Sequence, residues 1–205
     1  MVSVPRDAPS RSLIYATTIV VSIVWVVLDQ ATKLLAVRAY SDGAPDDLGP
    51  VVLRLVYNTG AAFSLPIRLP WLFVTVTVLV VTLVARALPD TPSVRLAGAY
   101  GLVVGGAIGN ALDRIFRDGA VVDMIDLDFP PLESFPVFNV ADIGITVGAG
   151  LVLLFMVLLE RREAAMPDPA VLAEGEEALA ESDGEAERAA EDSESSSTPL
   201  LPSDQ

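Results

Sequence analysis

The sequence predicts an all-α integral membrane protein with four transmembrane helices, a small extracytoplasmic β-rich loop region and a disordered acidic C-terminal tail. First, 52% of the 205 residues are hydrophobic and the mean hydropathy is +0.54, too apolar for an ordinary soluble domain. Second, four apolar stretches are long enough to cross a hydrocarbon core, which takes about 20 helical residues. Third, the net charge of −14 is local, because residues 163–205 hold 13 acidic side chains against one arginine. We therefore expect a nearly neutral membrane body and a solvated tail.

The predicted helices span residues 13–37, 69–88, 96–114 and 140–159. Arg6 and Arg11 precede the first helix as in a secretory signal peptide, but no convincing cleavage site follows, so we expect an uncleaved anchor. Residues 1–12 then form a cytoplasmic N-terminus. The third helix has small residues at every fourth position, which favours close helix packing in a membrane: Ala97, Gly101, Gly105 and Gly109.

The predicted topology rests on arginines near the helix ends, because short cytoplasmic loops carry an excess of Lys and Arg. Arginines are densest in the short segments on one side, at positions 6, 11, 86, 95, 161 and 162. We therefore expect both termini and the 86–95 loop in the cytoplasm, and the 38–68 and 115–139 loops outside. The tail from Glu163 onward is rich in Ala, Glu, Ser and Asp and is expected to be disordered.

Polar side chains cluster at the predicted outer ends of the helices, where ionisable residues suggest function by default. They are Asp29 and Lys33 on the first helix, Asn110, Asp113 and Arg114 on the third, Asp123 in a strand-like segment, and Asn139 and Asp142 at the start of the fourth. All of them lie near one predicted membrane interface.

Each of these residues also has a structural interpretation. Asp29 and Lys33 could form a snorkelling ion pair, and Asp113 and Arg114 a pair at a helix end. The spacing of Asn139 and Asp142 is that of a helix N-cap and the acid that completes a capping box. Asp123 could be one of three solvated loop acids, with Asp126 and Asp128.

The chain has no histidine and no cysteine, which excludes Ser-His triads, thiol nucleophiles and imidazole or thiolate metal sites. Two acid-base systems remain: a carboxylate pair, Asp123 and Asp142, 19 residues apart, or Ser64 coupled to Lys33, the single lysine. Asp29, one turn from Lys33, counts against the second. No basic stripe indicates nucleic-acid binding.

Two further classes stay open on the residues alone. A metal-dependent membrane transferase could hold Mg²⁺ with Asp123, Asp126 and Asp128, although no basic cluster in this loop would bind a diphosphate. A non-enzymatic transporter or assembly protein could use the polar cluster as an ion path, but none of the polar groups marks a route to the other membrane face.

Five short motifs occur in order: DQATK at 29–33, NTGAAFS at 58–64, GNALDR at 109–114, VVDMI at 121–125 and FNVAD at 138–142. Through these motifs, residues 13–160 resemble the lipoprotein signal peptidases, also called type II signal peptidases. The resemblance implies a multi-pass aspartic endopeptidase of the bacterial plasma (inner) membrane, with residues 13–162 as its four-helix peptidase domain. Such enzymes remove the signal peptide from diacylglyceryl-modified prolipoproteins by cutting just before the lipidated lipobox cysteine.

The resemblance also implies roles for individual residues. Asp123 and Asp142 correspond to the catalytic dyad, and two carboxylates sharing a proton can activate a water and protonate the leaving amine. Residues expected to support the site or bind substrate are Asp29, Lys33, Asn58, Gly60, Asn110, Asp113, Arg114 and Asn139. No cofactor or metal is expected. The expected partners are prolipoprotein substrates and membrane lipid, with a monomer favoured and the active site at the outer face.

Overall fold

The computed structural model describes residues 9–60, 70–164 and 184. The described elements follow in the order α1 (Arg11–Ala39), β1 (Asp46–Asp47), β2 (Val51–Asn58), α2 (Pro70–Ala87), α3 (Val94–Phe116), β3 (Val121–Leu127) and α4 (Val140–Ala164), with a short 3-10 helix (Leu88–Asp90) after α2. Residues 1–156 form one compact unit, and the second unit, 157–205, holds the last turns of α4. The predicted acidic tail lies almost entirely outside the described residues.

The four predicted helices are present with ends shifted by a few residues. Their starts follow ordinary capping rules, because the side chains of Ser10 and Ser93 accept from the backbone N–H groups at the third position of α1 and α3. Among the described residues, three helices are long and apolar enough to cross a membrane: Arg11–Ala39, Trp71–Asp90 and Val140–Arg161. The helix α3 is not among them.

The helices α1 and α3 pack closely along the predicted stripe of small residues. A Cβ atom added to Gly101 would lie 2.7 Å from Val21 Cβ, and one added to Gly105 would lie 2.8 Å from Trp25 Cβ. The Ser22 hydroxyl also donates to Gly101 O at 3.0 Å across this interface. The predicted packing role is confirmed, since side chains on α3 would force the two helices apart.

Large apolar side chains point outward from the other helices, as a lipid environment requires. Leu35 on α1, Val78 on α2 and Leu153 on α4 are each more than 60% exposed. By contrast, most of α3 from Leu96 to Asp113 is buried by its neighbours. This arrangement explains the lower hydropathy of α3, because a helix surrounded by protein can carry glycines and polar residues.

A three-stranded antiparallel sheet has the order β1-β2-β3, and its strand β3 confirms the predicted strand character around Asp123. Val56 of β2 pairs with Asp123, and Asn58 pairs with Val121. The Phe138 backbone exchanges hydrogen bonds with Ile125, which attaches the segment before α4 to the same strand. The sheet therefore brings β2, β3 and the start of α4 together.

Candidate active site

All ten residues singled out in the sequence belong to one hydrogen-bonded network within the unit 1–156. It joins the C-terminal half of α1, the end of α3, the strands β2 and β3, and the first turn of α4. Helix periodicity explains part of this convergence, since Asp29 and Lys33 share a face of α1, as do Asn110 and Asp113 on α3. The strands bring the remaining members.

Lys33 lies at the centre of a buried ion cluster. Its Nζ atom is 2.9 Å from Asp29 Oδ2, 3.0 Å from Asp113 Oδ2 and 3.0 Å from Asn110 Oδ1. All three ammonium protons therefore have an acceptor. Because Lys33 is fully buried, the proposed snorkelling of its side chain to the interface is wrong. The side chain is instead an internal cross-link between α1 and α3.

Asp29 connects α1 to the start of α4. Its Oδ1 atom accepts from the Ala141 backbone N–H at 2.9 Å, while its Oδ2 atom faces Lys33 and accepts from Gln30 Nε2 at 3.1 Å. Gly109 makes room for this carboxylate, since an added Cβ atom would lie 2.5 Å from Asp29 Oδ2. Through these contacts Asp29 links α1 to the first turn of α4 and, through Lys33, to α3.

Asp113 connects the cluster to β3. Its Oδ2 atom accepts from the Val122 backbone N–H at 3.0 Å, next to Asp123 in the chain. The expected Asp113–Arg114 pair is wrong: within the described residues, Asp113 pairs with Lys33 and, at 3.7 Å, with Arg117. Residues at i and i+1 project in different directions on a helix, whereas i and i+4 share a face.

Asp123 projects from β3 into the same cluster and is only 2% exposed, so the solvated-acid interpretation is wrong. Its Oδ1 atom accepts from Asn139 Nδ2 at 2.6 Å, and its Oδ2 atom accepts from Asn58 Nδ2 at 2.9 Å. Burial raises the pKa of Asp123, and the nearby Asp142 carboxylate acts in the same direction, whereas the two amide donors oppose it. A carboxyl group with a raised pKa is suited to holding a proton.

Asp142 and Asn139 form the predicted capping box at the start of α4. The Asp142 N–H donates to Asn139 Oδ1 at 3.0 Å, and the Asn139 N–H donates to Asp142 Oδ2 at 3.1 Å. Asn110 Nδ2 donates to the other oxygen, Asp142 Oδ1, at 2.7 Å. The capping role does not exclude chemistry, because Asn139 also bonds to Asp123. This one side chain thus links both aspartates.

Arg114 and Gly60 complete the network at its rim. The Arg114 guanidinium donates through Nη1 to Asn110 O at 3.2 Å and lies 4.2 Å from the centre of the Phe73 ring. Gly60 has φ +73°, in the left-handed region that favours glycine, and its N–H donates to Asn58 Oδ1 at 2.9 Å. That bond orients the Asn58 amide so that its NH₂ group faces Asp123.

The geometry does not favour the two alternative chemistries, a metal-dependent transferase and a Ser-Lys peptidase. Asp123 and Asp126 are three residues apart in one strand and point to opposite faces, and Asp126 pairs with Arg54 at 2.7 Å. No group of three metal-ligating side chains occurs in the part of the chain that the structure describes. Ser64, the partner required by a Ser-Lys mechanism, lies outside the described residues.

Two contributors were not assigned a role from the sequence. Gln30 donates from one Nε2 atom toward Asp29, Gly109 O and Asp113, and so joins α1 to α3. The sequence feature that could have identified Gln30 is a polar amide side chain inside an apolar helix. Phe73 stacks on Arg114, but a single phenylalanine in an apolar helix gives no sequence signal that separates it from lipid-facing neighbours.

Comparison with known proteins assigns the family. The family model described as Signal peptidase (SPase) II matches residues 21–158. A lipoprotein signal peptidase of Symbiobacterium thermophilum is 43% identical over 152 residues, covering 72% of this chain and 99% of that protein. One from Rhodococcus jostii is 43% identical over 141 residues, covering 68% of this chain and 71% of that protein. A solved bacterial membrane enzyme structure superimposes with a TM-score of 0.63 at 26% identity, covering 69% of this chain and 92% of that one.

The fold, the carboxylate-rich site and these matches define a membrane-bound aspartic peptidase. The chain belongs to the signal peptidase II family, whose members are lipoprotein signal peptidases. The expectation of this family, drawn from five short motifs, is confirmed.

Proposed function

We propose that this enzyme cleaves diacylglyceryl-modified prolipoproteins just before the lipidated lipobox cysteine, with Asp123 and Asp142 as its catalytic dyad. The observation that carries the proposal is the double contact of Asn139. Its side-chain amide donates to Asp123 and its backbone N–H donates to Asp142, so the two carboxylates share one rigid element. The other site residues hold the strand and helices that carry them.

The charge balance of the pair supports an aspartic mechanism. Within the described residues, no Lys or Arg nitrogen lies within 4.0 Å of either carboxylate, and their donors are amide groups. Two neighbouring carboxylates that form no ion pair with a cation favour one shared proton, since both cannot ionise cheaply. The ionised member takes a proton from water as that water attacks the scissile carbonyl. The protonated member gives its proton to the carbonyl oxygen, and the leaving amine is protonated as the intermediate collapses.

The proposed topology has four spans in the plasma membrane, namely the three apolar helices α1, α2 and α4 together with α3. Its 23 residues match the other helices in length, and its contacts with α1 and α2 shield its polar residues from lipid. Arg86 and Arg95 lie at the end opposite the site, which supports cytoplasmic termini and a site at the outer face. There the dyad would meet a cysteine held at the interface by its acyl chains.

The first test is cleavage of a diacylglyceryl-modified prolipoprotein by purified protein in detergent, with excess chelator present. We expect the parent enzyme to cut just before the modified cysteine and the Asp142→Asn variant to be inactive. Activity that disappears with chelator and returns with Mg²⁺ would instead favour a metal-dependent enzyme. Absence of cleavage by folded parent protein would contradict the proposal.

A further inference from the structure

The aromatic ring of Phe73 packs against the guanidinium group of Arg114. The Arg114 Cζ atom lies 4.2 Å from the ring centre, within the range of a cation–π interaction. Phe73 belongs to α2, which otherwise contributes no side chain to the polar network described above. This contact is therefore the link between α2 and the site.

Arg114 has few other restraints. Within the described residues, its hydrogen bond is the one from Nη1 to Asn110 O, and its buried Nε atom has no partner. The guanidinium is near enough to Asp123 and Asp142 to interact electrostatically, but it forms no ion pair within 4.0 Å with a described carboxylate. A long side chain held by one hydrogen bond requires another contact to keep its orientation.

The Cε2–Cζ edge of the Phe73 ring packs against Gly60. A Cβ atom at Gly60 would lie 2.8 Å from Phe73 Cε2, so the ring occupies the space that the glycine leaves. Gly60 in turn donates to Asn58, which donates to Asp123. On the other side, Arg114 bonds to Asn110, which donates to Asp142. Phe73 thus closes a ring of contacts that runs from one aspartate to the other.

We propose that Phe73 is a positioning residue for the reaction, holding the Arg114 guanidinium beside the dyad and the Gly60 turn against α3. This inference rests on the proposed function. The required property is an aromatic face at position 73, because an aliphatic side chain of similar bulk fills the space but does not attract a cation. Its effect should therefore appear in turnover and depend on aromaticity.

The matched variants are Phe73→Leu, Phe73→Tyr and Trp71→Leu. Trp71 lies two residues away on α2, is 69% exposed and forms no cation–π contact among the described residues, so it controls for loss of an aromatic residue from this helix. We expect Phe73→Leu to lower kcat by about tenfold, the size of a partly desolvated cation–π contact, with a smaller change in KM. Phe73→Tyr and Trp71→Leu should both stay within about twofold of the parent.

A second readout does not use activity. The Nε–H proton of Arg114, observed by NMR of ¹⁵N-arginine-labelled protein, should be displaced upfield by the Phe73 ring. That displacement should disappear in Phe73→Leu and persist in Phe73→Tyr and Trp71→Leu. Parental kcat in Phe73→Leu, an equal loss in Trp71→Leu or failure of Phe73→Tyr to restore turnover would overturn the proposal. An inactive parent would contradict the proposed function instead, and the NMR comparison would still decide whether Phe73 positions Arg114.

Discussion

Two pairs of carboxylates lie at the same end of the helices and differ in what surrounds them. Asp29 and Asp113 share the ammonium group of Lys33 and also accept from backbone N–H groups. Asp123 and Asp142 accept only from amide donors in the described structure. The first pair therefore has a buried charge partner, whereas the second pair is held by neutral donors alone. In the proposed mechanism the first pair belongs to the scaffold and the second pair carries the chemistry.

The largest expected effect is on catalysis by the second pair. Asp123→Asn and Asp142→Asn preserve side-chain shape but remove the ionisable group, so each should lower cleavage by roughly a hundred- to ten-thousandfold. Both variants should remain folded, which thermal unfolding in detergent would verify. Asp126→Asn is the matched control, because Asp126 lies on the same strand, pairs with Arg54 and should be dispensable for cleavage. Near-parental cleavage by either dyad variant would refute the assignment.

The next effect is on stability and concerns the first pair. Lys33→Met leaves Asp29 and Asp113 buried without their shared cation, which should cost roughly 3–5 kcal/mol of unfolding free energy. The control is Arg54→Met, which breaks the more exposed pair with Asp126 and should cost only about 0–1 kcal/mol. Reversible chemical unfolding in detergent compares the two. Equal stability of both variants would show that the Lys33 cluster is not a scaffold element.

The sequence predicts the members of the site better than their partners. Helix periodicity was enough to place Asp29 with Lys33, and the spacing of Asn139 and Asp142 was enough to predict the capping box. The sequence could not predict that Asp113 pairs with Lys33, because this ion pair depends on how α1 and α3 pack against each other. The β2–β3 register, which contains an irregularity between Leu53 and Val56, is likewise a tertiary property.

A smaller effect on stability is expected to distinguish a glycine at the α1–α3 interface from a glycine of α3 that faces open space. Gly105→Ala places a methyl group 2.8 Å from Trp25 Cβ and 2.9 Å from Ser22 O, so we expect a loss of about 1–3 kcal/mol. Gly98→Ala on the same helix meets no atom within 4 Å and should be neutral or stabilising by up to about 1 kcal/mol. Unfolding in detergent again provides the measurement. The reverse order would contradict the packing role of the α3 stripe.

The smallest effect is expected from deleting residues 165–205, which begins just after α4 ends at Ala164. This segment holds twelve acidic side chains, so its removal changes the net charge far more than any variant above. In the proposed topology, however, the tail and the dyad would lie on opposite sides of the membrane, and screening in physiological salt weakens charge effects beyond about 8 Å. We therefore expect kcat/KM to stay within about twofold of the full-length enzyme. A large loss of kcat/KM would mean that the negative charge of the tail influences the active site. The difference between the two carboxylate pairs would then not depend on their hydrogen-bond and ion-pair partners alone.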